Sequence, residues 1–255
     1  RVTLPKEFKD LMDEGNIESL KAVYDRCELT AHDGRFSLCT PLHMRGVPDE
    51  LVIWLVEKGL DINVPDYYGA TPLYRQAILG RDTVKLLCEL GADIEKPNTY
   101  GETPLHMAAE FFHPRTVKFL IDKGANVNVE NDMGRTPLAS VLMVCRGIYI
   151  TQTAEIASML LEAGAKKTSK MKERVEQIGK DFEFHRESIH PDYIEAADKG
   201  LAKLYELFDV KPVEKRLTHD GVSPIKLVEG SCEEHYEQLW SFLIPSSGPA
   251  KTVQG

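Results

Sequence analysis

One short string recurs along the chain at nearly constant spacing. Thr-Pro-Leu begins at Thr40, Thr71, Thr103 and Thr136, in steps of 31, 32 and 33 residues, and Ser223-Pro224-Ile225 follows as a looser copy. A period in this range marks a stack of supersecondary units, none able to bury its apolar face alone, so that each neighbour completes the core of the next. Two glycine series run in register with the string. Gly69, Gly101, Gly134 and Gly221 sit two residues before the Thr or Ser, where a tight turn needs positive φ. Gly59, Gly91, Gly124 and Gly164 each close an apolar stretch and suit a left-handed helix cap.

The same strings specify local structure. A Thr hydroxyl can cap free backbone N–H groups, and the Pro after it fits a first helical turn, where no donor is missed. A second helix should end at each closing glycine. Five residues before that glycine lie Trp54, Leu86, Phe119 and Met159, and four before it Leu55, Leu87, Leu120 and Leu160. These positions predict one buried face. Ala77, Ala108 and Ala109 are small enough to let paired helices approach closely.

Thr40 to His43 and Thr103 to His106 extend the string to Thr-Pro-Leu-His, and the second continues as Met107-Ala108-Ala109. Gly91-Ala92-Asp93-Ile94 and Gly124-Ala125-Asn126-Val127-Asn128 lead into the units that follow. In residues, order and period this resembles the ankyrin repeat. The resemblance implies an all-α solenoid of stacked helix-turn-helix units joined by β-hairpin-like loops. It also implies a single domain over 1–255: an N-terminal cap at 1–33, four typical repeats at 34–165, and divergent repeats with a C-terminal cap at 166–255. The cap rests on Leu11, Met12, Gly15, Asn16, Ile17, Leu20 and Val23, a helix pair without its leading Thr-Pro. With caps the period gives about seven units.

Three stretches depart from the pattern. Arg35, Phe36, Ser37, Leu38 and Cys39 lengthen the loop before Thr40. Thr136 to Gly164 spans 28 positions against 21 for Thr103 to Gly124, a surplus expected in the turn at Cys145 to Thr153. Beyond Ala165, Met171, Val175, Ile178, Phe182 and Ile189 predict a long amphipathic helix that His190-Pro191-Asp192 ends. A second helix is expected through Ile194, Ala197, Leu201, Leu204 and Phe208, with Asp209 to Val213 leading into a hairpin. Asp220 to Ile225 should open another unit, closed by Tyr236, Leu239, Trp240 and Leu243. Ser246 to Gly255 resembles a segment of longer bacterial proteins, which implies more chain after it, and the start at Arg1 leaves a removed leader open.

Charge narrows the partners. A net charge of −9 repels phosphate backbones, so nucleic acid is not expected. Lys166, Lys167, Lys170, Lys172 and Arg174, interrupted by Glu173, form the one basic cluster, read first as a solvated helix start. The five cysteines show no CxxC pair and no metal-ligand spacing, which suits a reducing compartment and hence the cytoplasm. No apolar run reaches transmembrane length, so no membrane partner is expected. A monomer is expected.

Candidate chemistry is sparse. His43 and His106 occupy the Thr-Pro-Leu-His position, where the resemblance implies a backbone hydrogen bond to a neighbouring hairpin. His185, His190, Asp192 and Glu195 carry ligand-type side chains without HExxH spacing, and Pro191 interrupts any shared helical face. Pro245 to Thr252 places Lys-Thr after small residues, but a P-loop would need glycine at Pro245 and Ala250. No nucleophile elbow is present. No cofactor, metal or catalytic residue is therefore expected.

What remains is surface. The resemblance implies a groove formed by hairpin tips and the inner face of each first helix. The tips correspond to Tyr67, Tyr68, Ala70, Thr99, Tyr100, Glu102, Asp132, Met133 and Arg135. The helix positions correspond to Ile78, Leu79, Glu110, Phe111, Met143 and Val144. So aromatic a stripe suits contact with a partner protein. A non-catalytic protein-interaction module is the expected function. The alternative is the targeting arm of an enzyme or secreted effector whose activity lies in divergent or missing C-terminal sequence.

Overall fold

The computed structural model describes residues 1–34, 38–215 and 231–243. Residues 35–37, the opening of the unit at Asp220 to Ile225, and Pro245 to Thr252 lie outside them, as do the side chains of Trp240 and Leu243. The regular elements of the described residues are all helical. They fall into two compact units: Arg1–Val144 with Glu155–Lys166, and Cys145–Ala154 with Lys167–Gly255.

The first unit begins with the pair α1 (Phe8–Glu14) and α2 (Ile17–Val23). A three-residue 3-10 turn, Pro41–His43, precedes α3 (Asp49–Glu57). Then come α4 (Pro72–Leu79) with α5 (Thr83–Glu89), and α6 (Pro104–Glu110) with α7 (Pro114–Asp122). Next is α8 (Pro137–Val144). The Thr-Pro strings start these helices as expected: Thr71 Oγ1 accepts the Tyr74 N–H at 3.2 Å, and Thr136 Oγ1 accepts that of Ala139 at 3.3 Å.

The second-helix positions divide by depth. Leu55, Leu87, Leu120 and Leu160 are fully buried, whereas Trp54, Leu86, Phe119 and Met159 are only half-buried. Two of the latter carry a lysine against the ring, Lys58 over Trp54 and Lys123 over Phe119. The first helices α4, α6 and α8 pack in series, and Ala77, Ala108 and Ala109 are all fully buried.

The Thr40 string differs from the others. Its first helix is one turn long, because Gly46 turns the chain at φ 80° and Pro48 forbids helix at the residue before it. Gln76 of α4 closes the shortened turn, its Nε2 donating to the carbonyls of Leu42 at 3.0 Å and Met44 at 2.9 Å. The surplus after Thr136 is also distributed differently from the expected loop. A 3-10 turn at Gly147–Tyr149 runs into α9 (Ile150–Glu162), 13 residues long against 9 in α7, so the second helix absorbs part of it.

In the second unit α10 spans Ser169–His185, followed by a 3-10 turn at Arg186–Ser188, α11 (Pro191–Phe208) and α12 (Cys232–Leu243). Met171, Val175, Ile178 and Phe182 are buried from α10, and Ala197, Leu201, Leu204 and Phe208 from α11. Gly200 allows close approach, since a Cβ there would sit 2.9 Å from the Thr151 Cα. Arg186 ties the two helices together. It donates to Glu183 at 2.8 Å and Asp198 at 3.0 Å, and its guanidinium lies 4.7 Å from the Phe182 ring centre. The basic cluster is partly engaged within this unit. Lys167 Nζ donates to the Leu207 carbonyl at 2.8 Å, and Lys172 pairs with Asp209 at 3.3 Å.

Candidate protein-interaction surface

Three loops of the first unit repeat one construction. In each, a buried Asp or Asn three residues before the glycine accepts two backbone N–H groups through its Oδ1. Asp66 accepts from Tyr68 at 2.8 Å and Ala70 at 3.0 Å. Asn98 accepts from Tyr100 at 2.9 Å and Glu102 at 3.0 Å. Asn131 accepts from Met133 and Arg135, both at 3.0 Å. Backbone pairs close the same loops: the N–H groups of Asp66, Asn98 and Asn131 donate to the carbonyls of Ala70, Glu102 and Arg135 at 2.9, 3.0 and 3.0 Å. Each tip is thereby held by hydrogen bonds within its own loop.

Neighbouring tips are also joined. The Thr99 N–H donates to the Tyr68 carbonyl, and the Asp132 N–H to that of Tyr100, each at 3.0 Å. This approach requires glycine. A Cβ on Gly69 would lie 3.1 Å from the Thr99 side chain, and one on Gly101 2.8 Å from Asp132 Oδ1, with φ at 71° and 73°.

His43 and His106 brace the loops from beneath. His106 Nδ1 accepts the Thr103 N–H at 3.1 Å, and its Nε2–H donates to the Arg135 carbonyl at 2.9 Å. His43 does the same with Thr40 at 3.1 Å and with the carbonyls of Val64 and Ala70 at 3.1 and 3.2 Å. The neutral imidazole satisfies both roles. Burial holds both imidazoles below their ordinary pKa. A lowered folded value means protons bind more tightly to the unfolded chain. The contribution is complete above the unfolded value of about 6.5 and is lost as pH falls below it. Glu110 works in the opposite sense, since burial raises its carboxyl. Urea midpoints measured from pH 7.5 down to about 5.5 should therefore fall for the native chain, and less steeply for His106→Gln.

In the intervening unit Tyr74 replaces the histidine and reaches the next tip. Its hydroxyl donates to Glu102 Oε2 at 2.9 Å and accepts from Asn98 Nδ2 at 2.9 Å. Asp66 takes a further ion pair, from Arg75 Nε at 2.7 Å. The guanidinium also lies 5.9 Å from the Tyr68 ring, and the Tyr67 and Tyr68 rings meet edge-on at 5.3 Å.

Side chains reaching solvent from these tips are Tyr67 (65% exposed), Tyr68 (41%), Tyr100 (53%) and Met133 (66%). Phe111 at the end of α6 and Met143 on α8 are exposed as well. Ile78, Leu79, Glu110 and Arg135 are half-buried. Ala70 requires a correction: it is 1% exposed, because both of its backbone polar groups turn inward to Asp66 and His43, so it presents nothing to a partner. Glu102 is half-buried and engaged by Tyr74 and Asn98, which makes it a brace of the loop.

The ligand-type side chains of the second unit are otherwise employed. His190 accepts the Asp192 N–H at 3.4 Å at the start of α11, and Glu195 pairs with Lys199 at 2.7 Å. Among the described residues no three His, Cys, Asp or Glu side chains are grouped to hold a metal ion, and no helix is long and apolar enough to cross a membrane. Burial pushes the Cys88 thiol up to about 11 and raises that of Cys145.

Residues 95–171 match the family model of ankyrin repeats in three copies. No curated protein matches the chain.

Proposed function

We propose that the chain, whose residues 95–171 match ankyrin repeats, is a non-catalytic module that captures a partner protein on the face carrying Tyr67, Tyr68, Tyr100, Phe111, Met133 and Met143. Ankyrin repeats generally serve protein–protein interaction. The observation that carries the specific reading is the exposure of Tyr67, Tyr68, Tyr100 and Met133 on loops whose backbones are braced from within. Rigid loops lose little conformational entropy on binding, and tyrosines bury large area with few rotatable bonds. Ile78, Leu79, Glu110 and Arg135 border this face and complete the contact.

The exposed tyrosines contribute little to folding, in contrast to Tyr74. The Tyr68→Ala/Tyr100→Ala protein should unfold within about 0.5 kcal/mol of the native chain, as is usual for exposed substitutions. Affinity capture with mass spectrometry should nevertheless lose the partner that the native chain retains. Two hot-spot aromatics typically cost ~2 kcal/mol each, enough together to weaken binding by about three orders of magnitude. Undiminished capture by the folded double variant would overturn this assignment.

A further inference from the structure

The first unit also holds a cavity of about 550 Å³ between α1 and the segment His43 to Arg45, lined by none of the tip residues. Its origin is the shortened helix. In later units the first helices α4, α6 and α8 run 8, 7 and 8 residues and pack on one another. The helix following α1 in this series is the three-residue turn Pro41–His43, after which Met44 is extended. The cavity runs along one face of α1 and its lead-in, which carries Pro5, Phe8, Lys9 and Met12 at helical spacing.

The chemistry of the recess is two-sided. Its floor is apolar and deeply set: Leu4, Phe8 and Met12 are 8%, 2% and 6% exposed. Its rim carries Lys6, Lys9 and Arg45, all exposed and without an ion-pair partner among the described residues. Asp33 is the one carboxylate among the described lining residues. On a chain of net charge −9, three cations over an apolar slot are a local reversal of sign. The size falls within the range of binding clefts, about 300–1,000 Å³.

We propose that this groove binds an acidic peptide segment, with one large apolar side chain entering the slot beside Met12 and carboxylates meeting Lys6, Lys9 and Arg45. The cations come from two separate segments of the chain. A ligand with a single carboxylate would leave most of them unmatched, whereas successive acidic residues of a peptide engage all three. The site is independent of the tyrosine face.

Fluorescence anisotropy with a fluorescein-labelled peptide of alternating Glu and Leu tests it. The native chain should bind saturably, and more weakly as salt rises. The peptide with Gln in place of Glu should bind at least tenfold more weakly, as should Lys9→Glu/Arg45→Glu protein toward the acidic peptide, since several rim charges act together. Both substituted side chains are exposed, and Lys6→Gln/Lys9→Gln serves as the milder variant if charge reversal disturbs folding. Tyr68→Ala/Tyr100→Ala protein should bind this peptide as the native chain does, which separates the two surfaces. Equal binding of the Gln peptide, equal binding by both folded rim variants, or saturation by dodecanoate with no binding of the peptide would each overturn the proposal.

Discussion

Arg186→Met is expected to destabilise the second unit by about 2–4 kcal/mol. Arg186 is 17% exposed and Glu183 7%, so the pair is largely desolvated, while Asp198 at 35% retains partial access to water. The guanidinium donates to both carboxylates, and those bonds raise its pKa further. Replacing it with methionine keeps apolar contact with Phe182 but leaves Glu183 buried without a countercharge. Breaking a fully buried pair costs ~3–5 kcal/mol, and the partly exposed Asp198 reduces that figure. Adding Glu183→Gln to the Met variant should recover part of the loss, because the uncompensated charge is then gone. Urea unfolding of the native chain, the single variant and the double variant measures both steps. Equal stability of all three would mean that the ion cluster does not hold α10 to α11.

Gly101→Val should cost the first unit about 3 kcal/mol or more. Two effects add. At φ 73° an L-residue is strained by ~1–2 kcal/mol, and a β-branched one by more. The new Cβ would also meet Asp132 Oδ1 at 2.8 Å and the Asp132 backbone nitrogen at 3.0 Å, the same N–H that joins this tip to the next. Gly91→Ala separates the effects. Gly91 has φ 94°, but a Cβ there would find no atom within 4 Å, so only the conformational cost of ~1–2 kcal/mol applies. In urea unfolding the Gly101 variant should therefore lose more stability than the Gly91 variant, and only the Gly101 variant should also lose partner capture. Equal losses at the two sites would show that contact between tips is not required.

Much of the fold was legible because the repeat states each local choice several times. Thr-Pro marked the helix starts, and the residue four before each closing glycine marked the deepest core. The long helices after Ala165 followed from Met171, Val175, Ile178 and Phe182, although Ile189 falls beyond the end of α10 in an extended conformation. The loop braces Asp66, Asn98 and Asn131 were missed as organisers of the surface. Their signal was present, three residues before each turn glycine, but an Asp or Asn near a turn usually reads as solvent-exposed polarity. Ala70 was misplaced for a related reason: periodicity located the loop, not the direction each residue faces within it.

Other features depend on distances through space that no local pattern encodes. Nothing in the string Thr71-Pro72-Leu73-Tyr74 announces that the Tyr74 hydroxyl bridges Asn98 and Glu102 of the next unit. Phe112 takes φ 57°, the left-handed position that Gly80 fills at the end of α4. There the helix-ending bonds of Phe112 N–H to Ala109 at 3.1 Å and His113 N–H to Ala108 at 2.9 Å hold a side chain where glycine would be easier. The truncation at Pro41–His43 was legible in Gly46 and Pro48, yet the regular Thr-Pro-Leu-His string pointed to a full helix.

Hydroxyl-radical footprinting tests the placement of the binding face most directly. Oxidation of Tyr67, Tyr68, Tyr100, Phe111 and Met133 would be compared for the free chain and for its complex with the captured partner. These side chains are 41–66% exposed when free and should become protected together, while Tyr149, Phe184 and Tyr193 of the second unit keep their free reactivity. Protection confined to Tyr149, Phe184 and Tyr193, with the tip tyrosines as reactive as before, would contradict the account.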